Sequence, residues 1–309
     1  MQSAPEKPLV AGKGDAPSVY STSMAMVLAV SVLIGLLYLP LLYWLGSTTI
    51  HTQQLFNGAL LVLIALAICV RDAMYDLQPA PQISNQGIGL VALALGCLWL
   101  ATHVRGGLLP LFVLSACLAF AGVVSFLFGK SGVRQFLPAL GAFFVFGILA
   151  GLVPTLDWPL RAMAGRYAGS LLEAMGSTVR LALEQGQPPR LILDVKGHAF
   201  VVATECNGFG LLTSALIVAT ILAFQNRLRW VQKLSLVAIS VPIAISFNFL
   251  RIVSICAVAP RTTLPYGFVH ETLGMLFYFS GLALIWKIAR RARPLPRGRT
   301  ETPSPMSKP

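Results

Sequence analysis

Eight apolar runs dominate this chain, at about residues 24–45, 55–70, 88–103, 108–128, 135–153, 208–226, 234–258 and 268–289. A helix needs ~20 apolar residues to cross ~30 Å of hydrocarbon. Most of these runs approach or exceed that length; those at 55–70 and 88–103 are the shortest. Lipid offers no partners for loose backbone groups, so a spanning segment is either a helix or part of a closed barrel. The runs are continuously apolar rather than alternating, which selects helices. Charged residues make up 11% of the chain, against about 25% in a soluble domain. The expected fold is an all-α polytopic membrane protein of about eight transmembrane helices, without an internal repeat.

Net charge is +12, which in a soluble chain would suggest nucleic acid. Here Lys287, Arg290, Arg291, Arg293, Arg297, Arg299 and Lys308 all follow the last apolar run. No recognition module accompanies them, so nucleic acid is not an expected partner. A basic tail after a span reads as a cytoplasmic anchor touching anionic lipid. Lys130 and Arg134 flank one short loop, and Arg227, Arg229 and Lys233 crowd another. Placing both loops and the tail inside puts the N-terminus inside too, and of the outward loops only those with Arg105 and Arg261 oppose the rule, with one basic residue each. The first run is too long for a signal-peptide core and is expected to stay as a span. Residues 1–23 then form a polar cytoplasmic tail, 24–290 the membrane domain, and 291–309 a disordered basic cytoplasmic tail.

In this topology residues 154–205 form the one large extracytoplasmic region. Leu160 to Glu184 has helical character and mixed polarity, which predicts a helix lying in the interface and ended by Pro188-Pro189. Two β-prone runs, 191–195 and 198–202, surround Lys196-Gly197 and predict a short hairpin ahead of the sixth span.

Five cysteines occur without CxxC or metal-type spacing, so neither a metal site nor a dithiol motif is expected. Cys69, Cys97 and Cys117 sit inside apolar runs, as small buried hydrophobes do. Cys206 stands in Glu205-Cys206-Asn207-Gly208-Phe209-Gly210, at the outer start of the sixth span. A helix N-terminus favours thiolate over thiol, and the two glycines admit a close neighbour. By position alone this cysteine reads first as a structural residue capping a helix entry.

Arg251 changes that balance. It is the one charged residue between Lys233 and Arg261, and an arginine inside a span costs ~2.5–3.5 kcal/mol near the centre. Asn248 and Ser254 continue a polar stripe on its helix face. Its outer-half position puts it on the side of Cys206, with Glu205 or Glu271 as the acids a structural ion pair would use. His270 opens the eighth span on the same side, with Gly274 one turn below leaving space beside the ring. A thiol, a fixed cation and an imidazole are the groups that thioester chemistry needs: nucleophile, oxyanion or thiolate stabiliser, and base. Cys256 is the rival nucleophile, turned about 140° from Arg251 on the seventh span.

The runs ECNGFGLLTSAL, NFLRIVSI and HETLGMLFYF, in this order, resemble the signature blocks of exosortases and archaeosortases. The resemblance extends upstream through FLPALGAFFVFGILAGLVP and covers about residues 25–290. It implies that Cys206 is the nucleophile, Arg251 the catalytic arginine and His270 the catalytic histidine. Asn207, Gly208 and Asn248 would support substrate or site. Many exosortases carry Cys-Ser-Gly after an alanine, whereas this chain has Cys206-Asn207-Gly208 after Glu205, so no subfamily is implied. The family implies cleavage of a C-terminal sorting signal (motif, transmembrane helix, basic end) on exported proteins, with transfer from Cys206 to an acceptor nucleophile and without a cofactor. The expected location is the inner membrane, with the site on the extracytoplasmic face. The alternatives are a membrane acyltransferase acting on lipid, a non-catalytic scaffold, or a transporter marked by Arg251.

Overall fold

The structure is a computed structural model that describes residues 16–77, 82–104, 108–184, 190–202, 207–226 and 228–292. It is mostly helical: α1 (Ala16–His51), α2 (Gln53–Asp76), α3 (Asn85–His103), α4 (Leu109–Ala174), α5 (Phe209–Gln225), α6 (Trp230–Val258) and α7 (Tyr266–Arg291). Three short strands lie between α4 and α5: β1 (Val179–Glu184), β2 (Arg190–Val195) and β3 (His198–Val202). All eight apolar runs fall within helices. Six helices are long and apolar enough to cross a membrane, and α5 is a shorter apolar helix.

The difference between eight runs and six such helices lies in α4 and α5. Gly129 interrupts α4 at φ 63, ψ −157, a conformation open essentially to glycine alone. The Phe120 and Phe136 rings lie 6.0 Å apart, although a continuous helix would separate them by ~24 Å. Val113 packs on Gly147, where an added Cβ would sit 2.8 Å from a Val113 methyl. So α4 is a hairpin, with arms 109–128 and 130–174 packed side by side. α5 has 17 residues and is the bundle's central helix, with Phe209, Ile217 and Ala219 fully buried. It is apolar on every face because every face meets protein. The outer helices instead expose large apolar side chains such as Leu33, Tyr43 and Met275, which suits a hydrocarbon surround.

Two expectations for the 154–205 region change. The helical stretch ends at Ala174, not near Glu184. Gly176, at φ 82, closes the helix, with Ser177 N donating to Leu172 O at 3.0 Å, an end motif that releases the chain into β1. The expected hairpin is present as β2–β3, and β1 extends it to a three-stranded antiparallel sheet in the order β1-β2-β3. Residues 179–184 form β1 where the helical reading expected helix to continue. Leu191, Leu193, Val195 and Val202 pack against Ala164, Ala168 and Leu172 of α4 and Ile252, Val253 and Cys256 of α6. The sheet therefore seals one end of the bundle. Several sequence features fall outside the described residues: Arg105, Pro188-Pro189, Glu205, Cys206, Arg227, the N-terminal residues 1–15 and the basic tail from Arg293 onward. The last part of the expected polar tail, from Ala16, is helical.

Candidate active site

The starts of α2, α5 and α7, the end of α6 and the sheet gather at this same end of the bundle. Arg251 of α6 and His270 of α7 meet there, Arg251 Nη2 lying 3.2 Å from His270 Nε2. A guanidinium only donates, so Nε2 is the acceptor in this contact. Gly274 gives the guanidinium room. A Cβ there would come within 3.3–3.4 Å of the Arg251 guanidinium. The space expected beside the imidazole is thus occupied by the guanidinium.

The entry to α5, directly after Cys206 in the sequence, is anchored from both sides. Asn207 is buried. Its Oδ1 accepts from Phe209 N at 2.7 Å, and its Nδ2 donates to Asp157 Oδ1 at 2.6 Å and to Gln54 Oε1 at 3.3 Å. The other Asp157 oxygen accepts from Arg161 Nη2 at 2.5 Å. Gly208 takes φ 85 and lies against the Asn248 side chain, 2.7 Å from where its Cβ would be. It is required there both for its backbone angle and for its missing side chain. Gly210 brings α5 against the backbone of Gln54, at 3.3 Å from a Cβ built on it.

Two cavities flank the Arg251–His270 contact. One is a cleft of about 850 Å³ lined by β3, Leu264, Tyr266, His270 and Gln53. The other, about 180 Å³, is lined by Gln53, Gln54, Gly208, Asn248 and Arg251. Gln53 borders both.

The sequence-predicted residues Asn207, Gly208, Asn248, Arg251 and His270 are therefore assembled at one end, around the point where the chain leads from Cys206. Cys206 itself lies outside the described residues. Cys256 is buried on the sheet-facing side of α6, and with Tyr266 and His270 it borders a void of about 20 Å³. Sequence reading missed Gln54, Asp157 and Arg161. Their signal was present: an acid and a base four residues apart just after an apolar run, and a Gln-Gln pair between two spans. Cys69 and Cys117 are buried and Cys97 is half-buried, all in helices.

The chain matches no curated protein and no solved structure. The family model for transmembrane exosortase matches residues 50–287, a span that begins just before Gln53 and Gln54 and holds every residue of the assembly above. By that match the chain belongs to the transmembrane exosortase family.

Proposed function

We propose that the chain is an inner-membrane cysteine transpeptidase-like enzyme that processes exported proteins at a C-terminal sorting signal. Its eight helical runs, with the two arms of α4 counted separately, would each cross the bilayer. Both termini would then be cytoplasmic and the sheet end extracytoplasmic. The basic residues support this orientation. Lys130 and Arg134 stand by the Gly129 turn, and Lys233 stacks over Phe224 at the inner end of α5. Asn226 Nδ2 donates to Ala289 O at 3.3 Å, beside Arg290 and Arg291. All of these lie at the end opposite Arg251 and His270, as the excess of positive charge in cytoplasmic loops requires.

The observation that carries the reading is the Arg251–His270 contact beside the anchored Asn207-Gly208 loop. In the proposed reaction the Cys206 sulfur attacks the scissile carbonyl. A C–S bond forms, the C–N bond breaks, and the leaving amine receives the proton that His270 took from the thiol. An acceptor nucleophile then attacks the thioester and releases Cys206. Arg251 would turn from Nε2 to the tetrahedral oxyanion, freeing that nitrogen for the thiol proton.

The test is the size shift of a tagged exported protein ending in a motif, an apolar helix and a basic tail. Cys206→Ala should abolish processing while the protein stays in the membrane. Cys256→Ala should keep most activity, since its thiol is packed near a helix C-terminus whose dipole disfavours thiolate. Full processing by Cys206→Ala with loss in Cys256→Ala would reverse the assignment.

A further inference from the structure

One wall of the large cleft is a strand edge. The turn Lys196-Gly197 has φ of 55 and 84, as a two-residue type I′ hairpin requires. Its closing pair is Val195↔His198, followed by Leu193↔Phe200 and Leu191↔Val202. On the other side of β2, Lys196 N donates to Thr178 O at 3.0 Å. Because antiparallel residues alternate the side to which their backbone groups point, residues 195, 193 and 191 of β2 turn toward β3. His198, Phe200 and Val202 answer them. Ala199 and Val201 must then direct their N–H and C=O groups away from the sheet. Both residues are exposed, and both line the cleft that holds His270. Among the described residues β3 pairs with β2 alone.

That edge lacks the usual protection. Ala199-Phe200-Val201 carries no lysine, proline or bulge, the devices that keep an apolar edge from recruiting another strand. β1 is the other edge, but it does not line this cleft. β3 is also tied to the candidate base. The Phe200 ring lies 6.3 Å from Tyr266, and Tyr266 lies 5.8 Å from His270. Along the chain, Val202 precedes Cys206 by four residues. A cleft of about 850 Å³ falls within the range of ligand pockets, about 300–1,000 Å³.

We propose that β3 docks the substrate polypeptide as an added strand, with Ala199 and Val201 pairing their backbone groups to an extended segment next to the scissile bond. Donor and acceptor pairs repeating every second residue match only another extended chain, whose own groups repeat at about 6.6–6.8 Å. Affinity then comes from the main chain, and alternate side chains of the segment enter the cleft beside Tyr266 and His270. This docking rests on the processing reading above and specifies how the segment ahead of the membrane helix is held.

Disulfide mapping tests it in the full-length chain. Val201→Cys is combined with Cys206→Ala and co-expressed with a tagged exported protein of the same organism that ends in a motif, an apolar helix and a basic tail. A single cysteine is walked through the segment ahead of that helix, and the chain without the introduced cysteine sets the background. Adducts should form at every second probe position, and the strongest should move by two residues when the anchor becomes Ala199→Cys. No adduct, or equal adducts at all positions, would overturn the docking. Adducts joining two copies of this chain would also overturn it and assign the edge to self-pairing. Cleavage by the chain retaining Cys206 is scored separately. Alternating adducts without cleavage would uphold the docking and sink the processing reading, and cleavage without them would do the reverse. Ala199→Pro and Val201→Pro each remove one outward N–H that β2 does not use. Where the parent cleaves, each should cut the rate by about tenfold at unchanged membrane level and melting.

Discussion

At the scale of single residues, the guanidinium of Arg251 joins α6 to α7 at the candidate site. It contacts Nε2 of His270 at 3.2 Å and fills the space left by Gly274. Arg251→Lys should therefore impair processing nearly as much as Arg251→Ala, by about 10²-fold or more, because a point charge does not replace a planar fork of donors. Gly274→Ala probes the same contact from the other helix. Alanine in a helix interior is favoured by up to ~1 kcal/mol over glycine, so the fold should hold or gain. The new methyl would displace the guanidinium by a few tenths of an ångström, since its nearest atoms are the flexible end of Arg251. The expected result is slower processing without a lower melting temperature in detergent. Equal loss of both would place Gly274 in packing alone. Arg251 and His270 were legible in the sequence because a charge inside a span and an imidazole at a span end are costly or rare there. Their contact was not, since it depends on the relative rotation of α6 and α7.

At the scale of elements, two turns decide how the chain is laid out. Lys196-Gly197 was readable as a hairpin turn, and the structure bears it out. The α4 fold-back at Gly129 was readable only as a gap between apolar runs. A Cβ at Gly129 would meet no neighbour within 4 Å, so a substitution there acts on the backbone alone. Gly129→Ala should destabilise the protein by about 1–3 kcal/mol through its φ of 63 and ψ of −157. It should lower the melting temperature and leave the cleavage rate of the folded fraction unchanged, because the turn lies at the end away from His270. A large change in rate at normal melting would show that the turn governs the site. β1 was misread as helix because its residues follow a helical segment without a proline between them. Only the left-handed closure at Gly176 separates the two.

At the scale of the whole molecule, the site end and the basic end are opposite. Reporter fusions after Gln187 and within the C-terminal tail should report an extracytoplasmic and a cytoplasmic position, respectively. A cytoplasmic signal from the Gln187 fusion would put the sheet, Arg251 and His270 on the wrong side for exported substrates and would overturn the proposed function. The eight-run pattern supports that alternation. Leu109 packs on Gly151 at one end of α4, and Asn226 bonds Ala289 at the other end of the bundle.

The sequence by itself determined the membrane class, the helical runs, the hairpin turn and the residue types of the candidate site. Each of these follows from local properties: run length against bilayer thickness, turn conformation, and the cost of placing a charge in hydrocarbon. What only the tertiary structure decided is which of these distant pieces touch. Asn207 reaches Asp157 across 50 residues and Gln54 across 153, and the β3 edge turns toward His270 rather than toward α4. No local pattern encodes such contacts. They arise when helices whose outward faces are uniformly apolar choose partners through small residues, buried polar groups and one sealed sheet.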